Sequence, residues 1–509
     1  MGTTGQKKSI PYRAGVASLL IATLVGCSSG PAGQGQGGPK AEGGTQAAAD
    51  TTPLKELSVM TQYGTSEPPK PDNVALVEME KYTGTKLNIT WVPSTAYADK
   101  VNVTLASSSL PQALMVTDHK SPTLVSAVRS GGFWEITPYL KDYPNLAPKS
   151  PEVVKNASLD GKLYGIYRGR VLGRYGFTFR KDWLDNLGMK EPKTIDEFYQ
   201  MVKAFATQDP DKNGKNDTIG LALDKSSLGQ KDFFTWFGAP NGWEYKDGKV
   251  TPDFMTKEYM DGLNFMKKLY DEKLINADFP VTQNYKDLIN KGTAGAHISC
   301  MCHSMDGSFN TLTKADPKAV IDISNSLIGP KGERAAASSG FFGMFMFPKS
   351  SVKTEAELKK ILAYFNKISD EKMTFLLDWG IEGRHYKMDN GTPTFIDAKL
   401  FGDEINNIKQ LKTYDGSSYG TATPLARKLL DMYKKNDKVV VHDVSLPLIS
   451  NTFSERGTDL SKIISDAQVK YIFGEIKADG WNNAIEQWKK QGGDKVIEEF
   501  TAEYKKVNK

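Results

Sequence analysis

Residues 209–217 read Asp-Pro-Asp-Lys-Asn-Gly-Lys-Asn-Asp. Side-chain oxygens recur at Asp209, Asp211 and Asn213, the first, third and fifth positions, and Asp217 stands ninth. Gly214 is sixth, where a calcium loop turns sharply, and the seventh residue, Lys215, would give its carbonyl. Hard oxygen donors in a curled loop suit calcium. At position twelve the pattern departs: Gly220 stands where a bidentate glutamate is usual. The competing reading is an Asx-rich turn without metal. The loop joins a helix to a strand, so a bound ion would be structural.

A second group of chemistry-bearing residues is His297, Cys300, Cys302 and His303 in AHISCMCHS. Soft metals use such groups, but the spacing matches no standard zinc pattern. Small polarizable residues can simply pack here. One residue separates the cysteines, and a bridge between them would strain the backbone, so no structural disulfide is expected. Hydrolytic signatures of the G-x-S-x-G or H-E-x-x-H kind are absent. Asp and Glu are abundant enough that a chance carboxylate pair stays open.

The elements that must position these residues alternate between strand and helix. Residues 54–63 alternate apolar and polar as a half-buried strand does. Residues 72–83 have helical spacing ended by Gly84, and 87–92 form a second strand. A helix over 97–107 and a strand over 112–116 follow. This order predicts an α/β lobe with parallel pairing. A second lobe begins near Phe177, with a helix capped by Thr194 and Glu197 running to Phe205 and another helix over 259–269. The apolar run 341–347 is a buried strand that returns to the first lobe, followed by a helix over 354–368. Residues 459–504 predict two or three helices broken at Gly474, Gly480 and Gly492–Gly493.

Ahead of the first strand lie two segments of another kind. Lys7, Lys8 and Arg13 precede an uncharged apolar run, 14–26, which ends at Cys27. It is too short to span a bilayer and suits a secretory signal. Leu24-Val25-Gly26-Cys27 resembles the bacterial lipobox, which implies diacylglycerol on Cys27 and cleavage before it. With an amino-terminal acyl chain this makes a stable anchor, on the extracellular face of the cell membrane or the periplasmic side of an outer membrane. Residues 28–53, rich in Gly, Ala and Gln, cannot bury enough surface to fold and form a flexible tether. The whole chain carries a net charge of +5, and three of the basic residues are in the leader, which argues against a nucleic-acid partner.

Four stretches carry a family resemblance: 163–223 (from LYGIYRGRVLGRYGF to IGLAL), 262–279, 379–388 (WGIEGRHYKM) and 471–488. In this order they resemble the extracellular solute-binding proteins of ABC importers, more narrowly the alginate-oligosaccharide binders and related Firmicute lipoproteins. The resemblance implies a two-lobe, periplasmic-binding-protein-like α/β fold of the class II type with an interlobe cleft and C-terminal helices. It places lobe 1 at 54–176 plus 336–400 and lobe 2 at 177–335 plus 401–509. It also implies a cleft-edge loop at AHISCMCHS, with Cys302, His303 and Ser304 lining the cleft. It implies a monomer that delivers a carbohydrate, most readily an oligosaccharide, to permease subunits. A peptide or other small solute is the alternative, and a lipid-anchored carbohydrate-active enzyme is the runner-up of another class. In the alginate-binding relatives an acidic residue follows the ninth loop position; Thr218 stands there, which implies weaker calcium binding.

Sugar recognition needs flat aromatic faces and polar groups. The tryptophans in loops or at element ends are Trp236, Trp243 and Trp379. Tyr63, Asp118 and His119 follow strand ends, which open toward the cleft in such sheets. Arginine forks pair with carboxylates: Arg168, Arg170 and Arg174 near the crossing strand, Arg334 before the return strand, and Arg384. Several of them in the cleft would imply an acidic ligand such as a uronate oligosaccharide. Singly, each is as readily a surface or interlobe ion pair.

Overall fold

The computed structural model describes residues 54–508 apart from 108, 149, 225, 228–230, 306, 326 and 414–422. The leader, the tether and Cys27 lie outside the described residues. Among the described residues each lobe has one large hydrophobic core, and two small clusters flank that of the second lobe.

The first lobe is built on β1 (Glu56–Tyr63), β2 (Lys86–Pro93), β3 (Ala113–Val116) and β4 (Gly165–Gly169). Along β1, Leu57 and Val59 are buried while Glu56 is exposed and Ser58 half-buried, the period-two pattern that the sequence shows. β1 pairs parallel with β2 and with β3. β3 is buried along its whole length, as a central strand between two helical layers must be.

The second lobe uses β5 (Tyr175–Arg180), β6 (Ile219–Leu221), β7 (Ala294–Cys300) and β8 (Ile321–Ser324) in the order β8-β5-β7-β6. The chain then returns as β9 (Phe341–Met346), which inserts antiparallel between β3 and β4 to give the first sheet the order β2-β1-β3-β9-β4. Gly343 adopts φ 69° at an irregularity of β9. A Cβ there would meet the Val116 carbonyl oxygen at 2.7 Å, so a side chain would push β9 off β3.

Helix boundaries follow capping chemistry. Thr354 and Glu357 form a reciprocal capping box on Glu355–Ile368. Thr194 accepts the Glu197 N–H on Ile195–Thr207, whereas the Glu197 carboxylate reaches Lys193 N at 2.7 Å instead of the cap residue's own N–H.

Two expectations about the C-terminal half change. Phe401, Ile405, Ile408 and Leu411 pack in the first core rather than opening lobe 2, because Ala398–Ile405 lays an apolar face against that lobe. The tail forms helices Asn451–Ile472, Ala478–Trp488 and Asp494–Val507. Gly474 and Gly492 take positive φ between them, but Gly480 sits inside the first turn of its helix. The N–H groups of a first turn have no helical partner in any case, so glycine interrupts nothing there.

Candidate functional site: the strand ends of two lobes

The carboxyl ends of the parallel strands are where α/β sheets present side chains to ligands. In the first lobe β1 ends in Tyr63, which is half-buried, and the next residue, Gly64, donates its N–H to Asn407 Oδ1 at 3.1 Å. Past β3 come Asp118, exposed, and His119, buried. Asp118 Oδ1 accepts the Lys120 N–H and shapes this turn. His119 Nε2 lies 3.1 Å from the Asn156 carbonyl oxygen and its ring meets Phe341 edge-on. Burial, with the Lys120 charge beside it, pulls His119 down to about 3. It is therefore a neutral packing residue at neutral pH, not the open cleft contact expected of it. Lys120 itself donates to the Leu446 carbonyl of the other half of the chain, and burial lowers it to about 7.

In the second lobe β6 runs out into Asp224, which is 5% exposed. Its carboxylate accepts from Ser226 N and Oγ, Ser227 Oγ and the Tyr285 N–H. The Tyr285 hydroxyl stands 3.0 Å from Ser299 Oγ and 2.8 Å from His303 Nδ1. Its ring lies 4.1 Å from the His297 ring, centroid to centroid. His297 is wholly buried and pushed far below the usual histidine range by that burial. Neither Asp224 nor Tyr285 was singled out in the sequence: single polar residues carry no period, and only the folded chain brings 224, 285, 299 and 303 together.

At the end of β7 the chain turns into a short 3-10 segment, Met301–Ser304. That turn brings the Cα atoms of Cys300 and Cys302 to 5.1 Å, and the sulfurs are bonded. The expectation of no disulfide is therefore corrected: the strain foreseen assumed an extended chain, and the chain here is curled. Arg174 lies against the bridge, with Nε 3.1 Å from Cys300 Sγ and an η-nitrogen 3.2 Å from Cys302 Sγ. Among the described residues no group of three or more His, Cys, Asp or Glu has metal-holding geometry.

The arginines divide. Arg168, Arg170 and Arg174 fall within the seven residues where the chain first passes between the lobes. Arg168 donates to the carbonyls of Lys409 and Lys412 and to Gln410 Oε1, and Arg170 lies 4.4 Å from the Phe342 ring centroid. Arg334 donates to the Ala239 carbonyl. Arg384 is different: it makes a two-pronged pair with Glu404 at 2.7 and 2.5 Å. Glu404 also meets His385 Nε2 at 2.9 Å. Arg384 thus ties a hairpin to a helix of the first lobe, the ion-pair role that is the alternative to a ligand contact.

The tryptophans divide as well. Trp236 is 1% exposed and Trp243 is 8% exposed. Trp236 packs among Phe177, Phe198 and Phe233 and donates Nε1–H to Asn325 at 2.8 Å. Trp243 packs against Trp488 and Phe500 of the C-terminal helices. Both are core residues: the rings around Phe177 and the segment at Asn325 enclose Trp236, and the C-terminal helices cover Trp243. Trp379 stays half-exposed, with its ring 4.7 Å from that of Phe395.

The 209–217 loop curls as its sequence demands: Asp209, Lys212 and Gly214 all take positive φ. Asp209 accepts from the N–H groups of Asn213 and Gly214. Asp211 and Asp217 both approach the Asn213 side-chain amide, at 2.9 and 3.2 Å. Burial, then the hydrogen bond with Asp209, raises the Asp211 carboxyl, as expected where acidic oxygens converge. The donor types suit a hard cation, but as they are arranged here the three carboxylates do not form a metal-holding group. Thr218 does not join them: its hydroxyl donates to the Phe205 carbonyl at 2.6 Å, back toward the preceding helix.

Two α/β lobes joined by crossing segments suit a ligand-binding protein of the solute-capturing class. A family model described as "Bacterial extracellular solute-binding protein" matches residues 64–299. The polygalacturonan/rhamnogalacturonan-binding protein YtcQ of Bacillus subtilis is 41% identical over 500 residues, covering 96% of this chain and 98% of the relative. The lipoprotein LipO of the same organism is 39% identical over 470 residues, covering 88% and 92%. An alginate-binding protein crystallised without calcium ion shares the fold at a TM-score of 0.65 and 19% identity, covering 90% of this chain and 99% of its own. The chain belongs to the extracellular solute-binding proteins.

Proposed function

We propose that this protein captures an acidic, galacturonate-rich oligosaccharide between its lobes and delivers it to the permease subunits of an ABC importer. The observation that carries this reading is the 41% identity, over 96% of the chain, to a polygalacturonan/rhamnogalacturonan binder; Arg168, Arg170 and Arg174 add a cluster of cations where the chain first passes between the lobes. Guanidinium forks match the uronate carboxylate in geometry and charge. Tyr63 and Trp379 would supply apolar faces, and Asp118 and His303 hydroxyl partners. Ligand bridging both lobes favours the closed form by its differential affinity. A carrier must release its cargo intact, so no catalytic role is assigned. The protein works as a monomer outside the cell membrane, held there by lipid on Cys27.

Calcium belongs to the same reading as a structural ion. Asp209, Asp211, Asn213, Asp217 and the Lys215 carbonyl would hold it, and a half-turn of the Asn213 amide would present its oxygen where its nitrogen now meets Asp211 and Asp217. Bound there, the ion would neutralise three crowded carboxylates. A calcium-dependent rise in melting temperature, lost in the Asp209→Ala, Asp211→Ala double variant, is the expected result; a rise unchanged in that variant excludes the site.

The test of ligand class is titration calorimetry of the mature chain with oligogalacturonates and with neutral oligosaccharides of equal length. Saturable binding of the acidic series alone, with the sugar recovered uncleaved, supports the proposal. Equal affinity for both series overturns the acidic assignment, and a peptide that outbinds both overturns the carbohydrate one. Appearance of shortened sugar makes the protein an enzyme.

A further inference from the structure

We infer that Asn241, Asn436 and Asp232 are positioning residues that fuse both described crossing segments to the second lobe, so that, among the described residues, the lobes pivot at Val171–Leu172 and Ser338. This goes beyond the ligand assignment and holds whatever solute binds.

The first crossing segment is clamped from one side. Asn436 donates its amide to the carbonyls of Gly173 and Tyr175, at 2.8 and 3.3 Å. Its neighbour Asp437 accepts the Gly173 N–H at 3.3 Å. The contact is so close that a Cβ at Gly173 would lie 2.5 Å from that of Asn436. The second crossing segment is clamped in the same way. Asp232 accepts the Ala336 N–H at 2.9 Å. Asn241 donates to the Ala337 carbonyl at 2.9 Å and the Val441 carbonyl at 2.7 Å. It thereby bridges two segments, 335–336 and 440–441, that already pair as parallel strands.

The two clamps are linked. Trp236 Nε1–H bonds Asn325 Oδ1, and Asn325 bonds Asn436 Oδ1 at 3.2 Å. Asp232, Trp236, Asn241, Asn325 and Asn436 are each at most 2% exposed. Buried amides and carboxyls are costly unless their hydrogen bonds are kept. The network therefore resists any motion that would separate 173–175 or 335–337 from the second lobe.

On the far side the attachments change. Gly169 donates to the Thr413 carbonyl and pairs with Phe341 in the first sheet. Asn156, from the first lobe, holds the Ser339 carbonyl at 3.1 Å. Between the two sets of anchors the crossing segments hold mainly each other: Arg170 N to Gly340 O at 2.7 Å, Ser338 N to Leu172 O at 2.8 Å, and Ser338 Oγ to Val171 O at 2.9 Å. Gly340 sits at φ 80°. A short ladder with half-buried side chains is where φ/ψ changes cost least, and hinges concentrate at such places.

Hydrogen exchange read at single amides, on the full mature chain without ligand, tests this independently of the sugar reading. The Ala335, Ala336, Ala337 and Gly173 amides should exchange with the second-lobe core, and those of Arg170 and Ser338 at least tenfold faster. Protection of Arg170 and Ser338 equal to that of Ala336 and Ala337, or a weak point at Ala335–Ala337, overturns the inference. A second arm uses spin-labelled amino acids at Val103 and Val281, which are 64% and 71% exposed in the two lobes. Asn241→Ala should at least double the width of the interlobe distance distribution, and Asn241→Asp, which loses both donors, should do the same. An unchanged width in a folded variant overturns it. If neither variant folds, the exchange pattern of the unaltered protein decides.

Discussion

The two lobes end their strands differently. In the second lobe the strand ends are locked: Asp224 accepts four hydrogen bonds, and Tyr285 ties Ser299 to His303. In the first lobe Tyr63 is half-exposed and Asp118 exposed, and the one histidine nearby is buried and neutral. The strand ends of the second lobe are therefore held by their own hydrogen bonds, and those of the first lobe keep side chains that can adapt. Preorganised groups contribute affinity by avoiding ordering costs on binding, and adaptable ones accommodate a chain of sugars.

The sharpest way to break this contrast is through protonation of the second lobe. Burial, opposed by the Ala336 N–H, raises the Asp232 carboxyl from its ordinary 3.8 to about 8. The folded protein then holds a proton that the unfolded chain gives up between about pH 4 and pH 8. Stability from this group is complete below pH 4 and is lost as pH rises through 8, at up to about 1 kcal/mol per pH unit. Asp232→Asn keeps an oxygen for Ala336 and should flatten that part of the profile, measured as urea midpoints at several pH values. His119 has the opposite sign: its pKa is lowered, so its contribution is lost as pH falls below the ordinary 6.5 toward 3.

A smaller break comes from Asp224→Ala, which strands buried donors and should lower stability by about 2–3 kcal/mol, read as a shifted urea midpoint at unchanged slope. Tyr285→Phe removes only the hydroxyl and should cost about 1 kcal/mol of stability, with weaker oligogalacturonate binding as the second readout. At the small end, Tyr63→Ala should change stability by no more than about 0.5 kcal/mol while weakening ligand binding. A stability loss as large as that of Tyr285→Phe would remove the contrast between the two sets of strand ends.

Much of the frame was legible. The alternation along 56–63, the N-cap Thr194 and the stop at Gly84 each act within one turn or one strand, so local spacing reveals them. Trp236 and Trp243 were misread because their burial depends on the segment around Asn325 and on helices beyond residue 451. The Cys300–Cys302 bond was missed because it depends on the curl after β7. Arg384 read like the other arginines until its partner, twenty residues on, came into view.

The sequence alone determined the two alternating α/β lobes, the return strand 341–346, the curled acidic loop 209–217 and the family, because each depends on periodicity or on residues close in the chain. Only the tertiary structure decided which tryptophans and arginines are spent on packing. It alone assembled the Asp224–Tyr285–His303 cluster and the Asn241 and Asn436 clamps. Those hydrogen bonds join residues tens to hundreds of positions apart, and what a buried polar group does is settled by the partner that folding brings to it.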